Sequence, residues 1–422
     1  MFKQLYKGTI NLSRHPVEDF FLIVVLLELF LMGGGRLIEF GSLSLRMVLY
    51  LMALGYSVFL LLWRRRIGAE TFFLTLSFLS VLSLSAFIGS VNNADVSLLI
   101  GDVKQLSFFL IGVFFWFTIN SIERVNLTIK LIKFSSLFLS TVYLLLLLMI
   151  LVGIINFTTF YSILNATGEV YFRGESGFFY KGFLYMCIGL IFYLFDGRKR
   201  SKAIALLIFA AIVLTFTRGF LLAMVLTFFL YLLVLSRRSI KTVLYLFIFC
   251  AGGALLIRQF LSLHSNILGS SSASDMIRVI TAREVWDALN PLTVFIGHGF
   301  GIGVPEKLVH MEVAYLEIFH KQGIIGLTFW FVIFLALIRG YVNAVSRGNR
   351  NTALPFFLSC LFIYLETMTN PFLNNPIGMS MILISVAVFN VLGKKRQRPF
   401  HEDGAVYPSG RLSGRLLTGN DI

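Results

Sequence analysis

Runs of roughly twenty apolar residues recur along almost the whole chain, and short clusters of Lys and Arg separate many of them. That alternation leaves few folds open, because a helix needs about 20 apolar residues to cross a hydrocarbon core. By that template, helices fall near 17–34, 44–63, 70–90, 105–120, 133–155, 179–196, 202–217, 219–236, 241–258, 313–338, 352–369 and 377–393. A length of 422 residues alone suggests two or three soluble domains, but 57% of the residues are hydrophobic, only 14% are charged and 45 are Phe. Such a balance is far from that of a soluble globular chain. The fold class is therefore an all-α polytopic membrane protein of about twelve transmembrane helices, with residues 1–398 as a single membrane domain.

The formal charge of +15 is not gathered on one face, so a nucleic-acid partner is not expected. Many of the cations lie in short runs between apolar segments, where positive charge holds a loop in the cytoplasm. Arg64-Arg65-Arg66, Arg198-Lys199-Arg200-Ser201-Lys202, Arg237-Arg238-Ser239-Ile240-Lys241, Arg347 with Arg350, and Lys394-Lys395-Arg396-Gln397-Arg398 are such runs. Threading the twelve segments alternately puts every run on one side and both termini in the cytoplasm. The outer side then receives turns near 33–42, 92–104 and 370–376, a middle loop near 156–178 and a long loop near 259–312. The mixed segment Ile122–Lys133 is expected to lie along the inner membrane surface, and the Gly-, Ser- and Arg-containing tail 399–422 to be disordered in the cytoplasm. No cleavable signal peptide is evident. Cys187, Cys250 and Cys360 fall inside apolar segments and read as small core residues.

Chemistry is expected on the outer side, mainly between Ser262 and Gly326. That stretch carries Arg278, Arg283, Glu284, His298, the run Gly297-His298-Gly299-Phe300-Gly301-Ile302-Gly303, His310 and Glu312, followed by Glu317, His320 and Lys321 in the next apolar segment. Ionisable groups in a membrane segment are costly unless they pair or face water. Glu317 and Lys321, four apart, read as a pair, and Glu312 or His310 at the water boundary reads as a general base. Arg218 stands at an outer turn, opposite the basic anchors. It reads either as a snorkelling side chain or as a guanidinium placed for bidentate phosphate binding. Residues 281–289 read as an amphipathic helix ended by Asn290-Pro291. The Gly-rich run lacks a Gly-Lys-Ser/Thr ending, so it reads as a tight loop rather than a nucleotide cradle. Arg173 and Lys181 flank Glu175 in the middle loop, either as an Arg–Glu pair or as cations lining a sugar groove. Glu366 and Asn370 are read as facing the same cavity, while Glu28 has no evident partner. No His, Asp or Glu cluster has metal-ligand spacing, so neither a metal nor another cofactor is expected.

These features occur in a familiar order: Thr217-Arg218-Gly219 at an outer turn, an Arg/Trp helix around Arg283 and Trp286, Gly-His-Gly-Phe-Gly-Ile-Gly, then Tyr315-Leu316 and Gly323-Ile324-Ile325-Gly326. Together they make the chain similar to the bacterial O-antigen ligase/polymerase superfamily, best from about Tyr171 to Gly326. The resemblance implies a C-type, metal-independent, inverting glycosyltransferase of the bacterial inner membrane, working at its periplasmic face. The implied donor is a glycan on undecaprenyl diphosphate, with the diphosphate clamped by Arg218 and by Arg283 or Arg278. Glu312 occupies the position of the family's usual histidine, with His310 two residues earlier, and Arg283 lies three residues before Trp286 where the family's arginine usually lies four before it. A glycan or lipid groove would draw on Arg173, Lys181, Trp286, His298 and Tyr315. Further implied partners are a glycan or lipid-A-core acceptor, membrane lipids and a chain-length regulator protein.

Glu312 and the Arg173–Gly177 loop favour a polymerase of lipid-linked repeats, for O-antigen, capsule or exopolysaccharide. A ligase that transfers the glycan to lipid-A core is the alternative. A flippase for the same lipid-linked sugar is a third reading. It would be expected to show pseudo-repeats and charges near the bilayer midplane, whereas the candidates here gather at the outer boundary.

Overall fold

The computed structural model describes residues 16–41, 43–64, 67–165, 167–173, 177–235 and 265–394. Predicted helix 241–258, residues 65 and 66 of the first basic run, the basic run 237–241, residues 395–398 of the last basic run, Glu175, Cys250 and the tail 399–422 lie outside them. Within the described residues the protein is mostly helical. Among the described residues, six helices are long and apolar enough to cross a membrane: Leu45–Trp63, Ala69–Val91, Val96–Thr118, Ile122–Leu151, Arg218–Leu235 and Ala314–Ser346. Shorter helices, Pro16–Leu31, Lys199–Leu214, Arg350–Glu366 and Pro376–Leu392 among them, occupy further predicted segments.

Several boundaries differ from the sequence expectation. The helix expected over 281–289 begins at Ser265 and ends at Asp287, inside the stretch read as a long loop. Residues 96–104, read as an outer turn, begin a helix whose N-cap is Asp95, its carboxylate accepting from the N–H groups of Ser97 and Leu98 at 2.8 and 3.1 Å. A carboxylate at that position satisfies N–H groups that no earlier turn can reach. Residues 122–133, read as a separate surface segment, are the first turns of the continuous helix Ile122–Leu151. One of their charges is drawn inward. Arg124 is buried, with Nε 2.7 Å from Asp19 and Nη2 2.8 Å from Glu18.

Polar contacts sort the loops into two ends. One end joins Arg124 to Asp19, Lys133 to Asp196 at 2.8 Å, Arg350 to the Leu235 carbonyl and Asn349 to the Leu392 carbonyl. The basic residues 198–202, 347 and 350 lie beside these contacts. The other end joins Tyr180 to the Leu31 carbonyl, Gly34 N–H to the buried Glu169 at 2.6 Å, and Gln105 to the Asn374 carbonyl. Here Glu28 finds a partner that the sequence did not reveal, Arg46 at 2.9 Å. The middle loop forms an antiparallel hairpin, Val170–Arg173 with Gly177–Tyr180. Its Phe179 packs on Phe220, two residues past Arg218, with ring centroids 5.5 Å apart. Cys187 and Cys360 are buried core residues.

Removing one partner of a buried ion pair strands the other charge and costs about 3–5 kcal/mol. Arg124→Met should therefore lower the thermal midpoint of the detergent-solubilised protein sharply, read by tryptophan fluorescence. Adding Glu18→Gln and Asp19→Asn to that variant should recover most of the loss.

Candidate active site

The site is built around a break in the helix Ala314–Ser346. At Gly323 the backbone turns to φ 63°, ψ −160°, a region that L side chains enter only with strain. Carbonyls before such a break lose their helical donors, and here the Gly-rich loop supplies others. The N–H of His298 donates to the His320 carbonyl at 2.8 Å, and that of Gly299 to the Lys321 carbonyl at 3.0 Å. The loop must lie against bare backbone to do this. A Cβ at Gly323 would stand 2.3 Å from the Phe295 carbonyl oxygen, and one at Gly299 (φ 92°) would stand 2.1 Å from the Gly89 nitrogen. The glycines thus let three backbone segments meet. Asn290 caps the short helix Pro291–Ile296 that feeds the loop, with Pro291 in its first turn. Asn290-Pro291 therefore starts a helix as well as following one.

Beneath this loop lies a chain of charges. Lys321 Nζ is 2.8 Å from Asp102 Oδ1, 2.8 Å from Glu317 Oε1 and 2.8 Å from the Val309 carbonyl. The three charged side chains are each at most 7% exposed. Gly301 N–H donates to the second Asp102 oxygen at 2.9 Å, and Asn374 Nδ2 to Glu317 Oε2 at 2.8 Å. Glu317 Oε1 also faces Nδ1 of His310 at 3.2 Å, and the His310 side chain is 43% exposed. Ligand-type atoms of Asp102, His310 and Glu317 lie within 4.8 Å of one another, an approach that sequence spacing did not show. The Lys321 ammonium, however, bonds both carboxylates and supplies the positive charge that a metal would bring.

A second cluster adjoins the mouth. Arg218 and Arg278 share Asp275, with Arg218 Nη2 at 3.4 Å from one oxygen and Arg278 Nη1 at 3.0 Å from the other. Arg278 Nε is also 2.8 Å from Glu312, and Lys307 stands 3.8 Å from that carboxylate. Glu312 therefore ties the arginine pair to the segment that carries His310. Glu366, bonded by Asn370, flanks the same turn. A Cβ at Gly219 would lie 2.8 Å from Glu366 Oε1 and 3.3 Å from Asn370 Nδ2.

The remaining candidates are dispersed. Arg283 lies on the same helix as Arg278, with its side chain 85% exposed and 3.8 Å from Asp287. Trp286 on that helix is exposed. The His298 ring stacks on His320 at 4.3 Å, and its nitrogens face the carbonyls of His320 and Ala288. Tyr315 donates its hydroxyl to the Tyr364 carbonyl at 2.8 Å. Lys181 lies over the Tyr171 ring at 5.6 Å. Arg173 sits opposite Gly177 in the hairpin, and its side chain lies outside the described residues. Sequence reasoning passed over Asp102, Asp275, Lys307 and Asn374. Asp102 alone carried a signal, a carboxylate in an otherwise apolar stretch.

Over 381 residues, 89% of this chain and 96% of its relative, the sequence is 28% identical to an O-antigen polymerase of Shigella flexneri. That similarity supports the O-antigen ligase/polymerase superfamily as the chain's place. No protein-family model matches it.

The loop's dependence on bare backbone is testable with two glycines. Gly299→Ala drives a Cβ into Gly89, whereas Gly153 (φ 77°) has nothing within 4 Å of its Cβ direction. Gly153→Ala carries only the left-handed strain of about 1–2 kcal/mol. Gly299→Ala should therefore lose far more thermal stability and folded yield than Gly153→Ala.

Proposed function

We propose that this protein is a membrane glycosyltransferase that polymerises glycan repeats carried on undecaprenyl diphosphate, for O-antigen, capsule or exopolysaccharide. The observation that carries the reading is the meeting of Arg218 and Arg278 on one carboxylate, with Arg278 also paired to Glu312, two residues from His310 in the chain. The similarity to an O-antigen polymerase along nearly the full length of both chains supports it independently.

In this reading the lipid-linked diphosphate takes the place of the Asp275 carboxylate between the two guanidinium groups. Arg pairs suit that ligand because their forks match phosphate oxygens bidentately. The exposed Arg283 is the weaker clamp candidate. The acceptor hydroxyl, at the end of a second lipid-linked repeat, gives its proton to Nε2 of His310 as its oxygen attacks the anomeric carbon. The bond from that carbon to the diphosphate breaks, and the leaving group takes the electron pair. Negative charge grows on the diphosphate as it leaves, and fixed arginines stabilise that charge without having to reorient. Attack opposite the leaving group inverts the anomeric configuration. His310 then releases its proton to water. Glu312 is already committed to Arg278, so its role is to hold the clamp, and His310 is the base. The ammonium of Lys321 among the carboxylates supports a mechanism without a metal.

The protein belongs, in this proposal, to the bacterial inner membrane, with both termini in the cytoplasm and the site at the periplasmic face. Lys181, Trp286, His298, Tyr315 and Arg173 are peripheral to the transfer.

The test gives purified protein the lipid-linked repeat that accumulates in cells lacking it, alone and then with a lipid-A-core acceptor. Products of graded length from the repeat alone are expected. Transfer only with the core acceptor makes the protein a ligase, and transbilayer movement without transfer makes it a flippase. Removing a group that stabilises transition-state charge costs about 100-fold or more. Arg218→Ala and Arg278→Ala should each lose that much, while Arg283→Ala stays within about threefold. Wild-type rates in the first two would remove the clamp.

A further inference from the structure

Asp102 lies far in sequence from Glu317 and Lys321, and all three are buried, yet the proposed transfer needs only the exposed His310 at their edge. We infer that this buried chain positions His310: Glu317 fixes the imidazole through Nδ1, and Lys321, anchored by Asp102, fixes Glu317. The inference rests on the glycosyl-transfer reading above and adds positioning residues to it.

The geometry leaves Glu317 little freedom. Its Oε1 receives Lys321 at 2.8 Å and faces His310 Nδ1 at 3.2 Å, while its Oε2 receives Asn374 at 2.8 Å. An ionised carboxylate only accepts hydrogen bonds, so the facing Nδ1 must carry the ring proton. That places the lone pair on Nε2, the nitrogen turned away from the cluster, and fixes the tautomer that a base needs. Lys321 has no such latitude either, since its three donors go to Asp102, Glu317 and the Val309 carbonyl. The Gly-rich loop closes the chain from above through Gly301 N–H on Asp102.

Charge balance points the same way. Two carboxylates and one ammonium leave one negative charge in a place where unbalanced charge is costly. An imidazolium on His310 cancels it. The charge that forms on the imidazole as it takes the acceptor's proton is met by the Glu317 carboxylate, as by the buried aspartate of a catalytic triad. A cluster serving only to hold the fold would have no need of a half-exposed histidine on its outer oxygen.

A positioning role can be separated from a structural one by pairing variants. General-base catalysis contributes roughly 100- to 10,000-fold. His310→Ala should therefore lower kcat for the lipid-linked repeat by at least about 100-fold, with KM little changed. Glu317→Gln, which offers Nδ1 an amide in place of a carboxylate, should lower kcat on the same scale, again with KM little changed. The decisive arm adds Glu317→Gln to His310→Ala. Residues that act through one another are not additive, so the double variant should be no slower than His310→Ala alone. Monodisperse elution and the thermal midpoint establish that each variant is folded. If Glu317→Gln does not purify folded, Glu317→Asp carries the same test: it keeps the charge for Lys321 but draws back from His310. Independent, multiplying losses would overturn the positioning role. Full activity in His310→Ala would instead overturn the base assignment beneath it.

Discussion

One ammonium organises the end of this molecule that carries the candidate site. Lys321 draws in Asp102 from the helix Val96–Ser107 and Glu317 from the preceding turn of its own helix, at 2.8 Å each. Charges in a membrane segment persist only when their partners are complete, so this cluster dictates what surrounds it. The Val309 carbonyl must come close enough to take the third donor, which fixes the segment just ahead of His310. The helix breaks two residues later, at Gly323, and the loop that bonds the freed carbonyls also brings Gly301 N–H to Asp102. The broken helix, the glycine loop and the placement of His310 are thus parts of one solution to burying three charges.

The membrane architecture was legible in the sequence because its signal is long and redundant. Twenty apolar residues announce a helix whatever their neighbours are, and the six long apolar helices lie on predicted segments with ends shifted by capping chemistry such as that of Asp95, whereas Ser265–Asp287 and Phe157–Asn165 are helices in stretches read as loops. Pairs close in sequence were equally readable, as Glu317 and Lys321 at a spacing of four show. Partners distant in the chain were not. Arg46 for Glu28, Asp19 for Arg124 and Asp102 for Lys321 depend on how helices pack, and no local pattern encodes that. The same limit explains the arginines. From sequence, Arg278 and Arg283 stand on one helix with equal claim, and only the position of Asp275 opposite Arg218 separates them. The choice between His310 and Glu312 was open in the sequence for a like reason, since the ion pair of Glu312 with Arg278 appears only in the fold.

The two charged clusters differ in the property that the proposed reaction needs from each. Arg218 and Asp275 are each more than half exposed, and their contact is 3.4 Å long. An exposed pair of that kind contributes at most about 1 kcal/mol, so an incoming diphosphate, carrying more charge and more acceptor oxygens, displaces the carboxylate at little cost. The guanidinium groups are kept near each other without being locked. The Lys321 cluster is the opposite case, its three charged side chains buried, with both oxygens of Asp102 and Glu317 and all three donors of Lys321 engaged. Opening it would strand a buried charge, at a cost of several kcal/mol. On the proposed reading, a substrate can therefore reorganise the clamp but not the support of the base. That asymmetry suits a polymerase, which must release a spent diphosphate and admit a new one at each addition while its proton acceptor stays fixed.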